Sequence, residues 1–356
     1  MTKDQILQRF LRYVQIDTTA NPDTEDYPSS PGQLELGKLL VGELQAMGIS
    51  DARQNEHGII MATIPATVEG VKDTICWCSH LDTSPETSGA NVKPQIIENY
   101  TGGDITLPGD ASKVIKTDVN PELNELKGRT IITTDGTTLL GADDKAGVAV
   151  ILEAAQWLME HPEIKHGPIR ICLTCDEEIA RGVIKLNLEE IASTVCYTLD
   201  GHGSNEIDVE TFSADQAVVT VTGINIHPSI AKGRMTNAIR AASDFISRLP
   251  RDRQSPETTA VREGFLHPYE MEGGVGEMKM KILLREFDAS KLDALAAQLH
   301  EYADATVKEF PNAKIDVKIE RQYRNMAEGL ENEPRAVEYA EEALRRLGRT
   351  AKKTIV

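Results

Sequence analysis

Three apolar runs, residues 74–78, 169–175 and 195–199, each lead directly into side chains that can bind a metal ion: His80, the pair Glu177 and Glu178, and Asp200. Runs of this length and composition read as buried strands. Strand exits gather along one edge of an open α/β sheet, which is where such sheets bind their ligands. A chain patterned this way is constrained to an α/β layered domain with a polar cluster at one sheet edge. His80 and Asp82 stand two apart, so in an extended segment both point to the same side, and Asp82 can accept the second ring N–H of a metal-bound His80.

A fourth polar segment, Gly141-Ala142-Asp143-Asp144-Lys145, follows residues 138–141 and precedes 145–158, a stretch rich in Ala, Val and Leu that reads as a helix. A carboxylate at Asp143 can keep both oxygens free to bridge two cations. Because Glu177 and Glu178 are neighbours, one can coordinate metal while the other moves protons. His80, Asp143, Glu178 and Asp200 make a nitrogen and oxygen set suited to zinc, and manganese or cobalt fit the same ligands. Taken singly, a His-x-Asp, an Asp-Asp or a Glu-Glu is ordinary surface. Their order, each beside an apolar run, is what points to a metal site.

The runs Ser79-His80-Leu81-Asp82-Thr83-Ser84, Leu140-Gly141-Ala142-Asp143-Asp144-Lys145-Ala146-Gly147, Asp176-Glu177-Glu178 and Tyr197-Thr198-Leu199-Asp200-Gly201 resemble those of peptidase T. That family comprises cytosolic tripeptide aminopeptidases, within a wider group of zinc exopeptidases and aminoacylases that carry a lid domain. The similarity covers nearly the whole chain. It implies an α/β fold, a zinc-exopeptidase-like catalytic domain with an inserted α+β lid (dimerisation) domain.

Carried over residue by residue, the resemblance implies that His80 and Asp200 hold one Zn2+, Asp143 bridges two, and Glu178 holds the second. It makes Glu177 the general base, has Asp82 orient His80, and implies a cis peptide between Asp143 and Asp144. In the family a further His, beyond a Gly-Gly-Thr-Asp-Gly loop near the C-terminus, completes the second zinc site. The sequence ends at Thr354-Ile355-Val356, about where that loop would begin. One full and one incomplete zinc site are therefore expected for these residues, and the activity of a chain of this extent is left open.

The chain has 356 residues, enough for two domains with separate cores. Its 38 basic and 56 acidic residues give a formal charge of −18. Such a field repels nucleic acid and anionic membranes, so neither is an expected partner, whereas a divalent cation is attracted. No stretch approaches the roughly 20 apolar residues of a membrane span, and the first residues lack an apolar signal core, so a cytoplasmic protein is expected. Five cysteines, at 76, 78, 172, 175 and 196, lie in strand-like runs and read as buried reduced thiols. Cys172 and Cys175 form a C-x-x-C whose odd spacing on a strand aims them at opposite faces, against a second metal site.

Residues 4–16 and 33–47 carry apolar side chains at helical spacing, with 21–32 as a loop between them. From 85 to 128 the periodicity fades into Gly, Pro, Asn and Asp. A loop of that length beside His80 reads either as functional or as a peripheral hairpin over the sheet edge. After Thr211 the pattern becomes strand 217–222, helix 237–249, strand 279–285, helix 289–310 and strand 315–319, a compact sheet with helices on one face. Residues 334–347 then read as a helix returning to the first domain. The expected division is a catalytic domain of residues 1–210 and 322–356, and a lid of residues 211–321.

Within the lid, His227 precedes Pro228 and sits in a turn. The resemblance implies that this His reaches the partner subunit's active site in a homodimer and polarises the scissile carbonyl; the family usually has Gly where this chain has Ser229. Arg285 matches the lid arginine expected to grip a substrate carboxylate bidentately, and a salt bridge to Glu286 or another acid is its structural alternative. Asn237 reads as a helix N-cap and His202 as a loop histidine. The expected function is a zinc-dependent aminopeptidase that releases the N-terminal residue of short peptides, tripeptides above all. The alternatives are a metal-binding, weakly active or inactive relative, and a dipeptidase or aminoacylase of the same group.

Overall fold

The computed structural model describes residues 2–201 and 203–356. The chain divides into two units, Met1–Gly201 and His202–Val356, each built around its own apolar cluster.

The first unit opens with helices α1 (Lys3–Tyr13) and α2 (Pro31–Ala46). Thr2 begins α1 with a capping box, its side chain accepting from Gln5 N while the Gln5 side chain reaches back to Thr2. Strands β1 (Arg53–Gln54), β2 (Ile60–Ile64) and β3 (Ile75–His80) follow. The long segment after His80 carries two small antiparallel pairs: β4 (Gln95–Ile97) with β7 (Ile131–Thr133), and β5 (Ile105–Thr106) with β6 (Val114–Ile115). Tyr100, Ile105, Leu107 and Leu123 form a small core of their own there. The region is thus an ordered layer of hairpins, for which its Gly- and Pro-rich sequence carries no periodic signal.

Helix α3 (Ala142–Glu160), β8 (Ile169–Thr174), α4 (Leu188–Ile191) and β9 (Val195–Thr198) complete the unit. The main sheet has the order β1-β2-β8-β3-β9, with β8, β3 and β9 mutually parallel and β2 antiparallel to β8. One face packs Ile60, Ala62, Ile64, Ile169, Ile171 and Leu173 against Phe10 and Tyr13 of α1, Leu36, Leu40 and Leu44 of α2, and Val148, Ile151 and Leu152 of α3. The other carries a smaller cluster of Ile59, Met61, Cys76, Cys172 and Ile191. Because β8, β3 and β9 run in one direction, their C-terminal ends share one sheet edge.

The second unit contains β10 (Glu206–Glu210), β11 (Ser213–Thr222), α5 (Ala238–Arg248), β12 (Phe265–Gly273), β13 (Glu277–Glu286), α6 (Leu292–Glu309), β14 (Lys314–Tyr323), α7 (Ala327–Asn332), α8 (Arg335–Arg346) and β15 (Lys352–Ile355). An antiparallel sheet of order β12-β13-β11-β14 packs one face on α5 and α6, through Val219, Val221, Met280, Ile282 and Leu284 against Phe245, Leu295 and Leu299. Asn237 caps α5 by accepting from Ile239 N and Arg240 N. Strand β12 has no counterpart in the sequence expectation. Pro268 and the register shift between Pro268 and Glu270 interrupt its pattern, and both are tolerated because β12 lies at the sheet edge. Strand β15 pairs in parallel with β10, and α7 and α8 group with this unit.

Candidate metal centre

Four segments of the first unit bring His80, Asp143, Glu177, Glu178 and Asp200 together. His80 is the last residue of β3 and only 2% exposed. Its Nδ1 lies 3.1 Å from the Asp82 carbonyl, which makes Nδ1 the protonated nitrogen and turns Nε2 toward the acids. Nε2 lies 2.8 Å from Asp143 Oδ1, 3.7 Å from Asp200 Oδ2 and 4.0 Å from Glu177 Oε2. The Asp82 carboxylate is fully buried, 3.3 Å from Nδ1, and accepts the backbone N–H groups of Glu177 and Glu178 at 3.0 Å each. Asp82 thus ties the imidazole and the acidic pair into one frame.

Asp143 is held at the mouth of α3, where the backbone of Asp143 and Asp144 departs from helical angles and the peptide between them is cis. The site depends on close approach here. Gly141 adopts a left-handed φ of 76°, and a Cβ at Gly147 would overlap Leu199 O and Asp144 Oδ1. Buried Asp144 accepts from the Ser79 hydroxyl, from His80 N at 3.2 Å and from Gly147 N at 3.2 Å, so it braces the end of β3 against α3. Beside it, the Lys145 ammonium is buried and donates to the Ile16 carbonyl at 2.7 Å.

Two groups of donors have their ligand atoms all within 4.8 Å of one another: His80 with Glu177 and Asp200, and His80 with Asp143 and Glu178. The cluster crowds like charges together. Burial, then the neighbouring Asp143 charge, pushes Glu178 up to about 7; burial, opposed by His80 and reinforced by Asp143, pushes Asp200 up to about 6. Burial also raises Glu177, and it lifts Asp144 to about 7. Burial alone would lower His80, but its bonds to Asp143 and Asp82 win and raise it to about 11. One imidazole and four crowded carboxylates fit one or two divalent cations, which relieve the repulsion that the acids otherwise meet by taking up protons.

His227 and Arg285 belong to the second unit. His227 is exposed, and the Ser229 N–H and hydroxyl both face its Nδ1, at 3.3 and 2.7 Å, which leaves the ring proton on Nε2. Arg285 donates to Asp215 O, Leu284 O and Gln322 Oε1, lies over the Tyr323 ring at 5.6 Å and forms no ion pair among the described residues. His202 lies outside the described residues. Of the cysteines, Cys76, Cys172 and Cys175 are buried, Cys78 is half-buried and Cys196, expected to be buried, is exposed at the edge strand β9. No helix among the described residues is long and apolar enough to cross a membrane.

Sequence reading missed the residues that brace this centre: Asp144, Ser79, Asp176, Ser29 and Gln33. The Asp143-Asp144 doublet held a signal for one of them, since Asp143 alone of the pair joins the donor cluster while Asp144 turns back to Ser79, His80 N and Gly147 N. Nothing in the sequence around Ser29 or Gln33 sets them apart from other polar residues.

Residues 209–311 match the peptidase dimerisation domain family, M20_dimer. The chain is 43% identical over 346 residues to peptidase T of Geobacillus thermodenitrificans (strain NG80-2), covering 97% of this chain and 84% of the relative. It is 41% identical over 346 residues to peptidase T of Bacillus subtilis (strain 168), with the same coverage. Among solved structures, it is similar to the aminopeptidase PepT from Bacillus cereus ATCC 10987, with a TM-score of 0.72 and 25% identity, covering 100% of this chain and 85% of that one. A tripeptidase from Staphylococcus aureus gives a TM-score of 0.76 at 23% identity with the same coverage, a likeness of fold. With the donor cluster at its sheet edge and relatives this similar over this much of its length, the chain belongs to the peptidase T family, peptidases of the M20 fold.

Proposed function

We propose that this peptidase is a zinc-dependent aminopeptidase that removes the N-terminal residue from short peptides, tripeptides in particular. The observation that carries the proposal is the convergence of His80, Asp143, Glu177, Glu178 and Asp200 at the ends of three parallel strands and the start of α3. The names of the relatives, peptidase T and tripeptidase, give the substrate class.

In this reading His80 and Asp200 would hold one ion and Glu178 the other, with Asp143 shared between them, and the ions would supply polarisation of the scissile carbonyl and a lowered pKa for water. Glu177 takes a proton from the attacking water and returns it to the leaving amine. Burial raises its pKa, the direction that suits a base that must later act as an acid. Asp82 keeps the His80 ring oriented and the Glu177 backbone in place. His227, whose Nε2 carries the proton, is assigned to the substrate carbonyl, and Arg285 to a peptide carboxylate. The lid through which two copies pair is assigned to residues 211–321 and the catalytic domain to residues 1–210 and 322–356, although residues 203–210 and 322–356 group with the second unit here, and the protein works in the cytoplasm.

The test is hydrolysis of a tripeptide, a dipeptide and an N-acyl amino acid by the purified protein, before and after chelation. Release of the N-terminal residue from the tripeptide, abolished by chelation and restored by Zn2+, is the expected result. Preferred cleavage of the acyl amino acid would assign the chain to the aminoacylase alternative, and activity indifferent to chelation would refute the reading.

A further inference from the structure

Glu177 and Glu178 follow a residue that is neither ligand nor surface. Asp176 is fully buried and sits in the left-handed region at φ 60°, a conformation that a non-glycine residue keeps only when its surroundings hold it. Its Oδ2 accepts from Ser29 N at 2.7 Å, and its Oδ1 accepts from the Ser29 hydroxyl and from Gln33 Nε2 at 2.7 Å. In return Asp176 N donates to Gln33 Oε1 at 3.1 Å. One buried amide therefore holds both the main chain and the side chain of Asp176, across 143 residues of sequence. Gln33 lies in the first turn of α2, whose leucines are locked into the core, and Ser29 just precedes that helix, so the clamp is anchored to a rigid element.

We propose that Gln33 is a positioning residue for the acidic pair, acting through Asp176 to set where Glu177 and Glu178 stand at the metal centre. The pair is suspended between two supports. Asp82 takes the N–H groups of Glu177 and Glu178 from one side, and the Gln33–Asp176–Ser29 network fixes the preceding residue from the other. With the second support removed, the left-handed turn at Asp176 relaxes and both carboxylates move from the geometry that metal binding and proton transfer need. The inference rests on the reading of Glu177 as base and Glu178 as ligand.

The complementarity of the clamp supplies the test. Gln33→Glu sets a carboxylate against a carboxylate, and Asp176→Asn alone leaves an amide N–H facing donors. The double substitution Gln33→Glu/Asp176→Asn restores one acceptor for each donor. Each single variant should lower kcat on a tripeptide by ~10–100-fold with KM within about threefold, and weaken Co2+ binding followed by its visible absorption by a similar factor. The double variant should recover most of both losses. Recovery is the discriminating outcome, since a merely destabilised protein would not regain activity from a second buried substitution.

Folded single variants with unchanged kcat and Co2+ affinity would overturn the proposal, as would a folded double variant that recovers neither. If the single variants do not fold, Ser29→Ala, which removes one hydroxyl donor, takes their place: an unchanged kcat and cobalt spectrum there would also overturn it. Should the parent protein lack peptidase activity, the functional reading fails on its own, and the cobalt titrations still decide whether Gln33 positions the ligands.

Discussion

Loading the donor cluster with Zn2+ should stabilise the first unit alone, and do so only near neutral pH. All five clustered donors lie within Met1–Gly201, and each unit has its own core, so two unfolding transitions are expected in calorimetry. An ion at 100 times its dissociation constant adds ~2.7 kcal/mol of stability. For a unit of this size, 1 kcal/mol moves the midpoint by ~2–4 °C, giving a shift of about 5–10 °C at pH 7.5. Between pH 7.5 and 5.5, Glu178 at about 7 and Asp200 at about 6 take up protons that the ion must displace.

These two carboxylates alone cost ~100-fold in apparent affinity across that interval, and the His80 proton, held to about 11, adds to the cost, so the ion falls to its dissociation constant or below it, where at most ~0.4 kcal/mol remains and the shift shrinks to ~1–2 °C or less. The metal-free chain should behave in the opposite sense. Folded pKa values raised above the unfolded ones mean that the folded state binds protons more tightly. That contribution is complete below the unfolded carboxylate pKa and is lost as pH rises through about 6 to 7, with His80 following toward about 11. The chelated first unit should therefore melt lower at pH 7.5 than at 5.5, and Zn2+ should close the gap. A Zn2+ shift as large at pH 5.5 as at 7.5, or one carried by the second transition, would refute the reasoning.

Other substitutions separate the roles. Glu177→Gln should retain metal content and fold while lowering peptide turnover by at least ~100-fold, as measured by kcat and metal analysis together. Asp144→Asn must set an amide N–H against a backbone donor, since both oxygens of Asp144 accept backbone N–H groups. It should cost about 1–3 kcal/mol in the first transition and weaken metal binding in the same titration. Phe245→Ala empties the centre of the second core and should lower the second transition by ~3–5 kcal/mol, leaving metal affinity of the first unit unchanged. A maleimide reagent should label one thiol per native chain, Cys196, and all five after denaturation, as read by mass spectrometry.

Sequence alone determined the layered α/β plan and which residues reach the sheet edge. Both follow from local periodicity: apolar runs at 74–78, 169–175 and 195–199 become the parallel strands β3, β8 and β9, and the polar residue at each exit has nowhere else to point. The same locality explains what was not visible. That Asp82 spends its carboxylate on the Glu177 and Glu178 N–H groups while its carbonyl selects the His80 tautomer depends on β3 and β8 lying side by side. Strand β12 could not be seen because an edge position excuses its proline, and being at the edge is a property of the sheet. The grip of Gln33 on Asp176 joins residues 143 apart; Asp176 stands in a motif run, but no period or motif marks Gln33 as its partner. Patterns along a chain encode which face of an element is buried; only the folded chain decides which buried polar groups meet, because each must find its partner within about 3 Å in three dimensions.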